Sequence, residues 1–268
     1  LQVIEDSCDA LGLTLRGTPT GTRADITVTS FALSHIITAA GTGGMVCVHD
    51  DELADRALLL RRWGRRSEIQ LFGSRRGEGD RFVSSIDPGT GTGDADADAD
   101  ALEYDNLFIF DELGWNFEPS ELSAAFGLVQ LDKLADNLEH RRRSFAATAA
   151  EVRRWPHQCH LPRLTPGVDT GWHMFPFVID PESGIRRGEL QRWMETRGVD
   201  TRMVWTGNAA RQPAFRDRPM RLPDGGLPNA DRVMEWGLIL PNNHSLTPDD
   251  STYIGECLAG FVDHHGLA

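Results

Sequence analysis

Asp94–Asp100 alternates aspartate with alanine without a break. A strand carrying a carboxylate at every second position has no face to bury, and alanines offer little apolar area in exchange. Gly73, Gly77, Gly79, Gly89, Gly91 and Gly93 punctuate the residues before it. Residues 66–105 are therefore expected to form a mobile surface loop, which leaves the core to the chain on either side. The dense carboxylates raise the question of a calcium site. The run lacks the glycine turn and bidentate glutamate of calcium loops, and no metal is expected there.

The flanks read as alternating elements. Leu1–Ile4 is apolar and reads as a short buried strand ending at Glu5-Asp6, with nothing before it to pair with, as if the chain opened inside a fold. Ile26–Ser30 is β-branched and bounded by Gly21 and by Ser34-His35. Gly43-Gly44 precede a further strand, Met45–His49, and Asp50-Asp51-Glu52 open a helix reaching Arg62. This spacing suits an α/β layer. Order returns at Phe108–Asn116, and a helix from Glu121 carries the apolar stripe Leu122, Ala125, Phe126, Val129 and Leu134. An arginine-rich helix is expected over Leu138–Trp155. After the break at Pro156–Gly171 come a strand (Trp172–Ile179), a helix (Gly188–Arg197) stopped by Gly198, a strand (Thr201–Trp205) and a closing helix (Thr252–His264). The expected organisation is a larger unit, 1–155, and a smaller α+β unit, 156–268.

Charge narrows the function. A net charge of −13 and a pI near 5.1 argue against a nucleic-acid surface. The arginine groups Arg61, Arg62, Arg65, Arg66 and Arg141–Arg143 read as solvated helix faces. Cys8, Cys47, Cys159 and Cys257 are widely spaced, without a CxxC pair, and read as reduced thiols of a cytoplasmic protein. No apolar run approaches the ~20 residues of a membrane span, and no signal peptide is evident. Of the 27 basic residues, all but Lys133 are arginine. Chemistry that needs a lysine must use that one or do without.

Three stretches carry a family likeness: VIEDSCDALG (Val3–Gly12), TSFALSHIITAAGTGG (Thr29–Gly44) and LGWNFEPSELSAAFGLVQL (Leu113–Leu131). With TRMVWTGNAARQPAF (Thr201–Phe215), they resemble the DegT/DnrJ/StrS group of nucleotide-sugar aminotransferases and their dehydratase relatives. The resemblance implies a pyridoxal-phosphate-dependent transferase of fold type I, aspartate-aminotransferase-like, from which the N-terminal part of the large domain is absent. It implies that Asp6 faces the pyridine nitrogen, making the ring an electron sink. An ordinary strand-end aspartate is the other reading. Asp9, in the same turn, would approach the ring hydroxyl. Ser30 would donate to the cofactor phosphate, or else cap local backbone. Asn116 would reach the phosphate of the neighbouring subunit's cofactor, implying a homodimer with shared sites, or else serve the turn before Pro119.

His35 decides the subgroup. Family aminotransferases carry a lysine here, five residues after the serine, which holds the aldehyde as a Schiff base. A histidine cannot do that, yet it can take and return a proton near neutral pH. Sequences with histidine at this point resemble the sugar 3-dehydratases, which act on nucleotide-linked 4-keto-6-deoxyhexoses. The resemblance then implies pyridoxamine phosphate as the working form, His35 as the base at the cofactor's C4′, and expulsion of the C3 hydroxyl. Glutamate is implied as amino donor. Cluster-bearing relatives place cysteines after a segment like Arg62-Trp63-Gly64-Arg65. Here Ser67, Glu68 and Ile69 follow, with no cysteine between Cys47 and Cys159, so no iron–sulfur cluster is expected. His173, Arg202 and Arg211 are candidates for holding the sugar nucleotide, the arginines through their guanidinium forks or else in surface or ion-pair roles. Two rival readings stand: an aminotransferase served by Lys133, which is expected mid-helix and far from the cofactor strands, and an inactive partial chain.

Overall fold

The computed structural model describes residues 1–77, 83–86 and 102–267; the Asp94–Asp100 run lies outside them. β1 (Ile4–Asp6) leads into a small hairpin, β2 (Thr14–Leu15) and β3 (Thr18–Pro19), and then into β4 (Ile26–Ser30) and β5 (Gly44–Val48). β4 is central in a sheet of order β1-β4-β5, parallel to β1 and antiparallel to β5. Asp6 pairs with Val28, so the C-terminal ends of the two parallel strands, and with them Asp6 and Ser30, open on the same side. The crevice beyond such strand ends is where α/β sheets place ligands.

The opening strand differs from expectation in burial. The opening strand starts at Ile4, and Val3 and Ile4 are exposed. Met45 and Val46 of β5 are exposed too.

α1 (Asp51–Arg61) starts where the acidic run predicts, the Asp50 side chain accepting from the Leu53 amide at 2.9 Å. The segment expected as loop holds regular structure in its described parts. α2 (Ser67–Phe72) is helical, and β6 (Val83–Ile86) pairs antiparallel with β7 (Leu102–Asp105). The helix forms because Glu68, fully buried, neutralises two arginines of the preceding turn, Arg61 at 2.8 Å and Arg62 at 3.1 Å. Reading glycine density as disorder passed over that carboxylate.

α3 (Glu121–Asp132) and α4 (Leu134–Val152) follow, with Lys133 at their junction rather than mid-helix. The apolar stripe on α3 does not face the core: Leu122 is 83% exposed, and Phe126 and Val129 are exposed as well. Small residues on another face explain the rotation. Ser123 is buried, and a Cβ on Gly127 would lie 3.4 Å from that of Ala39, so the helix rests closely on the loop after β4.

β8 (Cys159–His160), β9 (Val168–Asp169) and β10 (Phe175–Ile179) come next, then α5 (Arg187–Glu195), α6 (Pro228–Trp236), β11 (Gly237–Leu240) and α7 (Pro248–His265). β10 lies between β11 and β8, antiparallel to both. Its alternation turns Phe175, Phe177 and Ile179 into a core shared with Leu190 and Met194 of α5, Leu258 and Phe261 of α7, and Ala149 and Val152 of α4. Two expected strands come out differently. The first begins only at Phe175, because Trp172 adopts φ +46°. Within Thr201–Trp205 only Arg202 pairs, with Ile239, before the chain turns. β9 pairs with β2, Thr14 opposite Asp169, which carries the residues after β9 back to the turn after β1.

Candidate active site

Three sequence-distant side chains meet at this seam. Asp9 lies in the turn that follows β1, where the Ala10 amide bonds the Ser7 carbonyl. His35 lies in the loop between β4 and β5, fixed by the His35 amide on the Ala32 carbonyl and by buried Ile36, Ile37 and Ala39 on its far side. His173 follows β9. The Nδ1 of His35 is 3.1 Å from Asp9 Oδ1, and His173 Nε2 is 3.5 Å from the same oxygen. The two imidazole centroids are 5.4 Å apart.

The close approach of β4 and β5 makes this loop. Ser30 pairs with Gly44, where a Cβ would sit 2.6 Å from the Thr29 carbonyl, so the turn accepts only glycine. The Ser30 hydroxyl accepts from the Ala32 amide at 3.2 Å, which leaves its proton free to donate.

Asp6 is exposed, takes the Cys8 amide at 3.1 Å and sits within the field of His35. The bonds from the Cys8 thiol and amide hold its carboxyl below the usual aspartate value, and the same pairing pushes the thiol up to about 11. Asp6 is thus an ionised carboxylate, and Cys8 an inert thiol.

The His173 side chain is 7% exposed. Burial keeps it below an ordinary histidine value, aided by the charges of Arg141 and His35 and opposed by Asp9. It lines a cavity of about 630 Å³ with Ser34, Arg202, Trp205 and Asn242. Arg141, read from the sequence as part of a solvated face, is 4% exposed. One of its nitrogens donates to the carbonyls of His173 (3.1 Å) and Asn242 (2.8 Å), tying α4 to the floor of the site. An arginine run gives no sign of which member turns inward; only the placement of α4 does.

Three ligand atoms of Asp9, His35 and His173 lie within 4.8 Å of one another, a span that a cation could fill. Metal-held imidazoles have their second nitrogen hydrogen-bonded. The Nδ1 of His173 is buried without a partner among the described residues. The shared carboxylate accounts for the cluster as an acid–histidine pair.

Two candidates lie elsewhere. Asn116 bridges Arg62 through its backbone, and its side chain accepts from the Glu118 amide. Arg211 is paired with Asp231 at 2.9 Å and is not among the residues lining the cavity.

Residues 1–259 match the model of the DegT/DnrJ/EryC1/StrS aminotransferase family. The chain belongs to that family. It is 33% identical over 267 residues to a dTDP-4-dehydro-2,6-dideoxy-D-glucose 3-dehydratase of Saccharopolyspora spinosa, covering 98% of this chain and 54% of that protein. It is 31% identical to the lipopolysaccharide biosynthesis protein RfbH of Salmonella typhimurium, covering 100% of this chain and 57% of that one. Among solved structures, the Escherichia coli GDP-4-keto-6-deoxy-D-mannose-3-dehydratase with bound hydrated PLP superposes with a TM-score of 0.77 at 22% identity, over 96% of this chain and 60% of that one. The fold is therefore the α/β fold of these transferases, and the chain spans a little over half the length of the curated relatives it matches.

The residues present fit a pyridoxal-type cofactor. An ionised carboxylate and a free hydroxyl stand at the ends of two adjacent parallel strands, a pairing suited to a protonated ring nitrogen at one end and a phosphate at the other.

Proposed function

We propose that this chain is part of a pyridoxamine-phosphate-dependent enzyme that removes the C3 hydroxyl from a nucleotide-linked 4-keto-6-deoxyhexose. The observation that carries this reading is His35: it stands five residues after Ser30, bonded to Asp9, in a chain whose single lysine lies at the α3–α4 junction. The substrate class is supported by the name of one curated relative, a dTDP-4-dehydro-2,6-dideoxy-D-glucose 3-dehydratase.

When bound, the cofactor supplies an amine to hold the C4 ketone and a ring to take up an electron pair. Asp6, held ionised, would face the ring nitrogen and keep it protonated. Ser30 donates to the phosphate. Asp9 accepts from His35 Nδ1, which leaves Nε2 with a lone pair that, with the cofactor bound, would take a proton from C4′ and return one toward the C3 hydroxyl. His173, neutral and buried, closes the site beside the sugar. Arg202 at the cavity rim offers its guanidinium to the diphosphate. Arg211 faces the same nucleotide only if it leaves Asp231. In a homodimer Asn116 would reach a second subunit's cofactor phosphate, glutamate would restore the amine, and the four free cysteines go with a cytoplasmic setting.

The test is product analysis with the full-length protein, pyridoxal phosphate, glutamate and either a dTDP- or a GDP-linked 4-keto-6-deoxyhexose. A 3-deoxy sugar is the expected product. A 4-amino sugar with its C3 hydroxyl intact would make the protein an aminotransferase, and no turnover of either would leave a non-catalytic chain.

A further inference from the structure

Trp205 is 56% exposed and lines the cavity beside His173. Its backbone has φ +46°, a region that bulky residues adopt rarely and under strain. The strain is locked in from both sides. Upstream, Arg202 and Ile239 exchange backbone hydrogen bonds at 3.1 and 2.8 Å. Downstream, the Gly207 amide bonds the Val204 carbonyl at 3.0 Å, and Gly207 sits so close to α6 that a Cβ would meet Met234 Cα at 2.4 Å. Gln212 donates to the Thr206 carbonyl as well. A rigid turn thus holds an aromatic ring on the cavity wall, against His173.

Its direction is informative. The indole lies 12° from parallel to the His173 ring at 6.0 Å between centroids, an overlap that leaves much of the ring open. His173 in turn shares Asp9 with His35. From His35, whose ring is 5.4 Å from that of His173 and tilted 35° to it, the row of rings continues through His173 to Trp205 on the wall of the cavity that Arg202 also lines.

We infer that Trp205 is the platform on which the hexose ring of the nucleotide sugar lies, an assignment that rests on the substrate class proposed above. A pyranose presents a face of C–H bonds whose hydrogens are made positive by the neighbouring oxygens, and the indole face is negative, so the two attract while water is displaced. The hexose is the part that meets this ring because the reacting C3 and C4 must lie at His35. The nucleobase is a diphosphate and a pentose further away. A rigid platform also fixes the orientation of C3 toward the base, which makes Trp205 a specificity-determining residue rather than a catalytic one.

Calorimetric titration of the full-length protein separates the possibilities. The ligands are dTDP-glucose and GDP-mannose, which lack the reactive ketone, and dTDP and GDP alone. Trp205→Ala is expected to weaken the better-bound nucleotide sugar ~10-fold, the scale of a good aromatic contact, while the parent nucleotide binds as to wild type. Trp205→Phe is expected to restore most of the loss, and an unchanged unfolding temperature in both variants shows that the fold is intact. Equal weakening of nucleotide and nucleotide sugar would assign Trp205 to the base and overturn the inference, as would unchanged binding in Trp205→Ala. Failure of the wild-type protein to bind any of the four would overturn the substrate class and this assignment together.

Discussion

The Nδ1 of His35 and the Oδ1 of Asp9 lie 3.1 Å apart, joining the loop after β4 to the turn after β1. An ionised carboxylate can only accept, so the bond fixes the proton on Nδ1 and leaves Nε2 as the exchanging nitrogen. The His35 side chain is 15% exposed, sheltered enough to hold one orientation and open enough to meet a ligand.

His35→Asn is expected to leave cofactor binding intact and to lower dehydration ~10²–10⁴-fold, the usual contribution of a positioned general base. In the full-length wild type, pyridoxal phosphate is expected to remain a free aldehyde or hydrate, and borohydride should not fix it to the chain. His35→Lys should reverse both observations and favour amino transfer at C4. Cofactor trapped on Lys133 in the wild type, or undiminished dehydration in His35→Asn, would remove His35 from its role.

Legibility in the sequence followed locality. The positions of Asp6, Ser30 and His35 at strand ends and in the following loop are legible because each lies within one short motif. His173 was named, yet its partner was not, since the contact with Asp9 depends on β9 pairing with β2. Two-residue strands such as Val168–Asp169 leave no periodic trace. Arg141 and Glu68 were misjudged for a related reason. Charged residues default to the surface, and their burial here is decided by partners on other elements: the carbonyls of His173 and Asn242 for one, two arginines of the α1 end for the other. Trp205 was passed over inside an expected strand, because a positive φ at a tryptophan has no sequence signal.

Stability is expected to fall as pH drops below about 6.5. His173 is held below that ordinary value in the folded chain, first by burial. Above 6.5 both folded and unfolded forms carry a neutral imidazole, and the residue contributes no slope. Below it the unfolded chain takes up the proton first, so folded stability is lost progressively until the folded group also protonates. Urea midpoints compared between about pH 7.5 and 5.5 measure this. His173→Gln should flatten the profile in that window; an equally steep profile would assign the slope to other groups.

Arg141→Leu is expected to cost about 1.5–3 kcal/mol, because it removes a charged donor from buried carbonyls. It should also let His173 titrate at higher pH, since Arg141 is one of the charges holding it down. Denaturant unfolding gives the first quantity and imidazole resonances across a pH series the second. A destabilised variant whose His173 titrates unchanged would make Arg141 a structural tie alone.

No iron–sulfur cluster is expected on anaerobic reconstitution with iron and sulfide. After Arg62-Trp63-Gly64-Arg65 the chain offers a buried carboxylate paired with two arginines, not thiolates. Glu68→Gln should therefore be a folding lesion of about 2–3 kcal/mol, discounted because the arginines keep partial contact with water. Stoichiometric iron with a visible charge-transfer band would overturn the expectation.

The 268 residues expressed alone are expected to bind a hydrophobic dye, to self-associate and to hold pyridoxal phosphate weakly. β1 and β5 are the two edges of their sheet, and both carry exposed apolar residues, Val3 and Ile4 on one side and Met45 and Val46 on the other. Unpaired edges of this kind template pairing with other chains. α3 adds Leu122, Phe126 and Val129 to the apolar surface, because its small face is the one turned inward. Charge opposes association: at −13 the chains repel at low salt, so aggregation should grow with ionic strength as screening shortens that repulsion. Dye fluorescence and size-exclusion chromatography across a salt series measure both effects. A monodisperse dimer binding pyridoxal phosphate tightly at every salt concentration would show that these faces are covered within the chain's own assembly.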